Sequence, residues 1–206
     1  ALVADGRGLG RHDGVVVLVE DALPGQLVRA RVDAVRKSLA EAALVEVLER
    51  SPDEQEPPCP HAGRCGGCSW QSLAYGRQLA WKERIVHDAL ERVGKVACPP
   101  MLPILPSPSE WGYRNKMEFA FGVSGDGGKA LGLRERGSRN IVEVTGCLLQ
   151  RPLTMRVLEA VRMLSNGAFH DLDGRFLVVR EPNAGGCFVE LIVGAGGSLE
   201  AGERFA

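Results

Sequence analysis

Cys59, Cys65 and Cys68 fall within ten residues, in the stretch CPHAGRCGGCSW that runs from Cys59 to Trp70. A thiolate is a soft metal ligand, and three from one loop can hold most of a metal centre. Structural zinc sites usually combine two short chelate pairs. Here one tight group, C-x5-C-x2-C, stands without a second pair. A single further ligand from a distant segment suits a cubane iron–sulfur cluster, which takes one cysteine per iron. Gly66 and Gly67 let the backbone bend tightly and turn N–H groups toward sulfur. Cys98, Cys147 and Cys187 are the remaining cysteines. Cys187 opens an apolar strand and reads as a core residue. Spacing does not separate Cys98 from Cys147, and His61 is a further candidate for a mixed zinc site. The C-x3-C-x2-C triplet of radical-SAM enzymes is excluded by the first gap of five.

Six cysteines in 206 residues, with no secretory segment, favour a reducing cytoplasm and metal ligation over disulfides. The net charge of -1 excludes a global basic field, so any nucleic-acid site must be a local patch. No apolar run is long enough to span a bilayer, and a monomer with no membrane partner is expected. The chain opens without an initiator Met and stops just after a strand-like run, so both ends read as cuts.

The elements that must position these residues are mainly strands, with two helices: an α+β chain. Residues 1–50 carry GVVVLVE, LVRARVDAV and EAALVEVLE, short strands separated by tight turns, which suggests a small OB-like barrel. In the second strand Val28, Ala30, Val32 and Ala34 are expected on one face, and Arg29, Arg31 and Asp33 on the other. The Pro-rich run 51–60 reads as a linker, opening a segment 51–98 with the cysteine loop and a helix over 72–93. The helix stripe is Leu79, Val86, Leu90 and Val93, with Gly94 as its stop. Residues 99–206 form the third part. YRNKMEFAFG alternates, with Tyr113, Met117, Phe119 and Phe121 on one face and Arg114, Lys116 and Glu118 on the other. KALGLRER returns as its hairpin partner with Leu131 and Leu133 inward. NIVEV is a further strand, LTMRVLEAVRMLSNG an amphipathic helix, and RFLVVRE with CFVELIV a second hairpin.

These motifs together resemble the SAM-dependent RNA uracil-5 methyltransferases, which make 5-methyluridine in tRNA and ribosomal RNA. DGRGLGRHDGVVVLVEDALPGQLVRARV is similar to the family's N-terminal TRAM domain, and CPHAGRCGGCSWQSLAYGRQLAWKERIV to its cluster segment, with Ser72 in place of the usual His. YRNKMEFAFG resembles the start of the central domain, and IVEVTGCLLQ the segment with the last cluster ligand. The resemblance implies a 4Fe–4S cluster on Cys59, Cys65, Cys68 and Cys147, choosing Cys147 over Cys98 and iron over zinc. It also implies a first TRAM strand that is clipped here.

The RNA (rRNA or tRNA) that the family binds implies contacts from the barrel, through Arg29 and Arg31 with Arg7, Arg11, Arg36 and Lys37 beside them. The central hairpin offers Arg114, Lys116, Arg134 and Arg136 on one open sheet face. Ion pairs with Glu118 and Glu135 are the alternative. Trp70, Tyr75 and Trp111 either stack on unpaired bases or pack around the loop. Methylation at uracil carbon 5 needs a thiolate adding to carbon 6, an in-line SAM methyl and a base for the carbon-5 proton. The resemblance puts all three, and the SAM site, in a C-terminal domain. The final strand and Gly194, Gly196 and Gly197 imitate a nucleotide-binding turn, but too little follows to complete one. No catalytic residue is therefore expected in this chain, and the chain alone is expected to be inactive.

Overall fold

The computed structural model describes residues 1–97, 99–165 and 173–194. Cys98 and the Gly-rich stretch after Gly194 lie outside the described residues. The chain divides into two compact units, 1–58 with 68–107, and 59–67 with 108–206. Among the described residues the architecture is mainly β with two α-helices.

The first unit holds a four-stranded sheet of β1 (Gly8–His12), β2 (Val15–Glu20), β3 (Leu27–Arg36) and β4 (Leu39–Glu49). Two hairpins make it, β1–β2 and β3–β4, joined by parallel pairing of β2 with β4. Asp13 and Gly14 both take positive φ between β1 and β2, the geometry of a two-residue hairpin turn. Val19, Ala22 and Ala42 are buried, with Val17, Val28, Ala30 and Leu44 packed on them. The expected alternation of β3 holds only as far as Arg31. Val32 is 54% exposed, because Asp33 is an extra residue in the ladder: Val32 faces Ala42 and Ala34 faces Glu41.

The helix α1 (Tyr75–Asp88) continues as a five-residue π-helical turn, Ala89–Val93. Its packing stripe differs from the expected one. Val86 and Val93 are exposed, whereas Trp81 and Ile85 pack on buried Leu2, Leu23 and Leu73. The i,i+4 aromatic–aliphatic pair buries more apolar area than the valines at sevens. Trp70 belongs to the same cluster and donates its indole N–H to the Gly6 carbonyl at 3.1 Å. Gly94 is not the left-handed stop. Its φ is -74° and Lys95 takes the positive φ instead, after the Gly94 N–H has bonded to Ala89 O in the wider π pattern. Glu54 ties this unit's loops together by accepting from Gln26 Nε2 at 2.8 Å and Arg50 Nε at 3.0 Å. Partial burial opposes its ionisation, but those hydrogen bonds and the Arg50 charge outweigh burial and lower its pKa.

The second unit has a five-stranded antiparallel sheet in the order β7-β6-β5-β8-β9: β5 (Lys116–Val123), β6 (Lys129–Arg134), β7 (Ile141–Val142), β8 (Gly174–Arg180) and β9 (Phe188–Val193). Met117, Phe119, Leu131, Val142, Leu177 and Val179 face the helix α2 (Pro152–Ser165), which buries Leu158 and Val161 against them. Phe119 is fully buried, contributing about 2–3 kcal/mol. Tyr113, expected on this face, is 55% exposed; it precedes the strand and takes no part in the pleat. The opposite face is not open throughout, since Ala120, Ala130 and Ile141 are buried there with Phe176 beside them. Gly132 lets β7 approach: a Cβ at that position would lie 2.1 Å from Val142 O.

Pro152 starts α2, where its missing N–H costs nothing. Glu181 caps that end, accepting from Thr154 N at 3.3 Å and Thr154 Oγ1 at 3.1 Å. Near the other end, Arg162 donates to Leu131 O from Nε (2.9 Å) and Nη2 (2.6 Å), and to Val144 O from Nη1 (2.9 Å). Burial lowers its pKa, partly offset by Glu143 and Glu159. The guanidinium thus fixes the backbone three residues before Cys147. Arg162→Met is expected to destabilise the chain by about 2–4 kcal/mol, because two carbonyls lose a charged donor. Urea unfolding measures this, and a loss below about 0.5 kcal/mol would make the clamp incidental.

Candidate metal centre and nucleic-acid interface

The loop Cys59–Gly67 is held by backbone hydrogen bonds. Ala62 N bonds to Cys59 O at 3.1 Å, and Cys65 N to His61 O at 2.9 Å, so the loop coils on itself. It then joins the end of β6. Gly66 N bonds to Arg134 O at 3.0 Å, Arg136 N to Arg64 O at 2.8 Å, and Cys65 forms an antiparallel bridge with Glu135. Gly66 eases this approach, because a Cβ there would crowd Arg134 O at 3.2 Å. Glu135 has its pKa lowered by hydrogen bonds from Ser138 and Asn140 and by Arg64, 3.6 Å away.

His61 makes the second attachment. Its Nε2 accepts the Thr145 N–H at 3.1 Å and lies 3.2 Å from Thr145 Oγ1. A backbone N–H can only donate, so Nε2 carries no proton and its lone pair is engaged. His61 is therefore occupied as a latch, not presented as a ligand through that nitrogen. Thr145 lies two residues before Cys147, so the latch ties the loop to the turn with the distant cysteine.

Cys59, Cys65, Cys68, Cys147 and Cys187 are all half-buried. Cys65 and Cys147 both pack against the Met117–Phe119–Leu158 core, as does Cys187. Cys59, Cys65 and Cys147 thus belong to one unit, and Cys68 is the first residue of the 68–107 segment. Among the described residues, no three His, Cys, Asp or Glu side chains converge as ligands of one metal ion would.

The predicted RNA-contact residues separate by their partners. In the first unit Arg29 is ion-paired with Glu46, and Arg31 with Asp33 at 2.8 Å. Arg7 pairs with Asp5 at 2.7 Å. Arg11 and Arg36 are exposed, make no ion pair among the described residues, and share one row, since Arg11 faces Val16, Val16 faces Leu39, and Leu39 faces Arg36. Lys37 follows in the turn with a positive φ. In the second unit Lys116 and Arg134 are exposed strand residues on the same face, by parity with Ala120 and Gly132. Arg114 and Arg136 are half-buried and lie beyond the strand ends. Arg180 on β8, directly opposite Lys116, is a cation the sequence reading passes over. The hairpin pattern of RFLVVRE held the clue, but only the register places it.

Residues 3–45 match the TRAM domain. A protein of Nitratidesulfovibrio vulgaris named as an RNA methyltransferase is 47% identical over 201 residues, 93% of this chain and 43% of that protein. One of Caldanaerobacter subterraneus, also named an RNA methyltransferase, is 46% identical over 64% of this chain and 29% of its own length. A protein of Acidithiobacillus ferrooxidans named 23S rRNA (uracil(1939)-C(5))-methyltransferase RlmD is 40% identical over 77% of this chain and 37% of its own length. The chain is therefore a TRAM-bearing relative of RNA methyltransferases. It spans less than half the length of these relatives. No helix among the described residues is long and apolar enough to cross a membrane.

His61→Ala should free the Thr145 amide. Its hydrogen exchange should speed up about 5–10-fold, and His61→Asn, which keeps an acceptor, should restore part of the protection. Unchanged exchange in His61→Ala would show that the turn is held by other contacts.

Proposed function

We propose that these 206 residues are the RNA-recognition and cluster-bearing portion of an S-adenosylmethionine-dependent RNA uracil-5 methyltransferase. The substrate is a uridine of 23S rRNA or of tRNA. The name of the Acidithiobacillus relative favours 23S rRNA. The observation that carries the reading is the double attachment of the Cys59–Gly67 loop, to the end of β6 and to the turn before Cys147, in a TRAM-bearing relative of RNA methyltransferases.

Cys59, Cys65, Cys68 and Cys147 are the proposed ligands of a 4Fe–4S cluster. Four soft thiolates fit it chemically; all four are half-buried, and Cys65 and Cys147 lie on an apolar core that would shield such a centre from water. Ligands of a cubane sit on separate irons, so they need not converge as on one zinc ion. When bound, the cluster would cross-link loop and sheet and so couple metal to folding. The protein's own groups do the rest. His61 and the Gly66 backbone hold the loop, while Arg11, Arg36 and Lys37 in the TRAM domain meet phosphate. Arg29 and Arg31 would join them by exchanging Glu46 and Asp33 for phosphate oxygens. On the central sheet Lys116 and Arg134 add contacts, flanked by Arg114 and Arg136. The attacking thiolate, the proton-abstracting base and the SAM site lie outside these 206 residues. The protein acts as a cytoplasmic monomer.

Iron and sulfide analysis of anaerobically purified protein tests the ligand set. About four irons and four sulfides per chain are expected. Cys147→Ser should lose them, whereas Cys98→Ser and Cys187→Ser should keep them. The reverse pattern, or one zinc per chain, sinks the assignment. The 206 residues incubated with S-adenosylmethionine and RNA should transfer no methyl group to uridine, and transfer would place the catalytic groups inside them.

A further inference from the structure

One row crosses three strands of the central sheet. Lys116 on β5 lies directly opposite Arg180 on β8, and Arg180 directly opposite Phe188 on the edge strand β9. All three are exposed, Phe188 at 71%. Their strand parity is that of Glu118, Val178 and Glu190, which make the next row.

Two like charges directly opposite one another destabilise a sheet. Carboxylates are within diagonal reach, yet neither Lys116 nor Arg180 is ion-paired among the described residues. The phenyl ring of Phe188 beside them leaves most of its apolar area uncovered by the chain. Uncompensated cations next to a bare aromatic face are the combination that single-stranded nucleic acid satisfies: phosphate on the cations, a base on the ring. A duplex would not, because its bases are already stacked and its edges lie inside the grooves.

We propose that Lys116, Arg180 and Phe188 form a stacking subsite for one unpaired nucleotide of the RNA. Phe188 carries the base, and Arg180 and Lys116 hold the adjoining phosphates. The proposal deepens the RNA-recognition reading above and rests on it. It names the structural class that the central sheet selects, an unpaired segment of RNA, and adds Arg180 and Phe188 to the contact surface. Phe188 sits at the sheet edge, so a base reaches it without displacing any strand.

The test is fluorescence anisotropy of the purified chain with a labelled uridine-rich single-stranded RNA of about 15–20 nucleotides, a length that covers several such contacts. A blunt duplex of the same length is the comparison. Phe188→Leu keeps apolar bulk without an aromatic face and should weaken single-strand binding about 10-fold, leaving duplex binding unchanged. Phe188→Tyr should bind as the parent does. Lys116→Ala with Arg180→Ala should make the salt dependence of log K shallower by about 1.4, for two phosphates on a single strand. Because all three side chains are exposed, an unchanged thermal melt confirms that each variant is folded. Tight binding by the parent with no loss in Phe188→Leu would overturn this subsite while leaving RNA recognition in place elsewhere, as in the TRAM domain. No binding by the parent at low salt would overturn both readings. Sedimentation showing a dimer that Phe188→Leu dissociates, at unchanged RNA affinity, would overturn the subsite in favour of a contact between copies.

Discussion

The structure around the cysteines depends on a backbone clasp. Gly66 N to Arg134 O and Arg136 N to Arg64 O extend the β6 end by one short ladder, made by a loop rather than a strand. A soft-ligand site whose last corner comes from another part of the chain faces an entropic problem. Without prior contact, the metal alone must close a loop of many residues. The clasp and the His61 latch close it with ordinary hydrogen bonds, so less of any binding free energy is spent on ordering the chain. Arg162 acts from the other side by fixing the carbonyls of Leu131 and Val144. The Cys147 turn is thus held by a helix on one side and by the cysteine loop on the other.

Charge is distributed with comparable economy. The chain is close to neutral, and in the first unit many cations are neutralised within a few residues, as Arg31 is by Asp33 and Arg7 by Asp5. Exposed pairs of this kind contribute little to stability. They do cancel the field over most of that surface, so that cations without partners stand out locally. Arg11 and Arg36 sit at one end of the first sheet, and Lys116 and Arg180 near one end of the second. A nearly neutral chain can therefore present compact positive sites without becoming a general polyanion binder.

Where one strand's own pleat decides a side chain's direction, the sequence was informative. Met117, Phe119 and Phe121 alternate with Lys116 and Glu118 as expected, and Leu131 and Leu133 turn inward. Cys187 packs on the core as a free thiol, and Trp70 packs rather than standing free. Legibility ended where geometry is set by a neighbour. The extra residue at Asp33 exposes Val32, because register belongs to two strands and not to one. The α1 stripe at Leu79, Val86 and Val93 has a fair helical period. Which face is buried was decided by Leu2, Leu23 and Leu73, far away in the sequence. His61 offers two roles by residue type, ligand or hydrogen-bond acceptor, and only the position of Thr145 chooses between them. Arg180 looks like an ordinary strand-end cation until Lys116 is seen opposite.

Gly132 gives the fold a diagnostic position for reading newly found sequences. The Val142 carbonyl occupies the volume where any other residue would carry its Cβ. A relative with alanine or larger at the equivalent site has to part β7 from β6 or shift one of them. Val142 leads within five residues to Cys147, so that displacement would travel down the chain to the thiol. A single glycine codon, fifteen positions before the Cys147 codon, thus reports whether a diverged homologue keeps the same geometry at the turn that carries this cysteine.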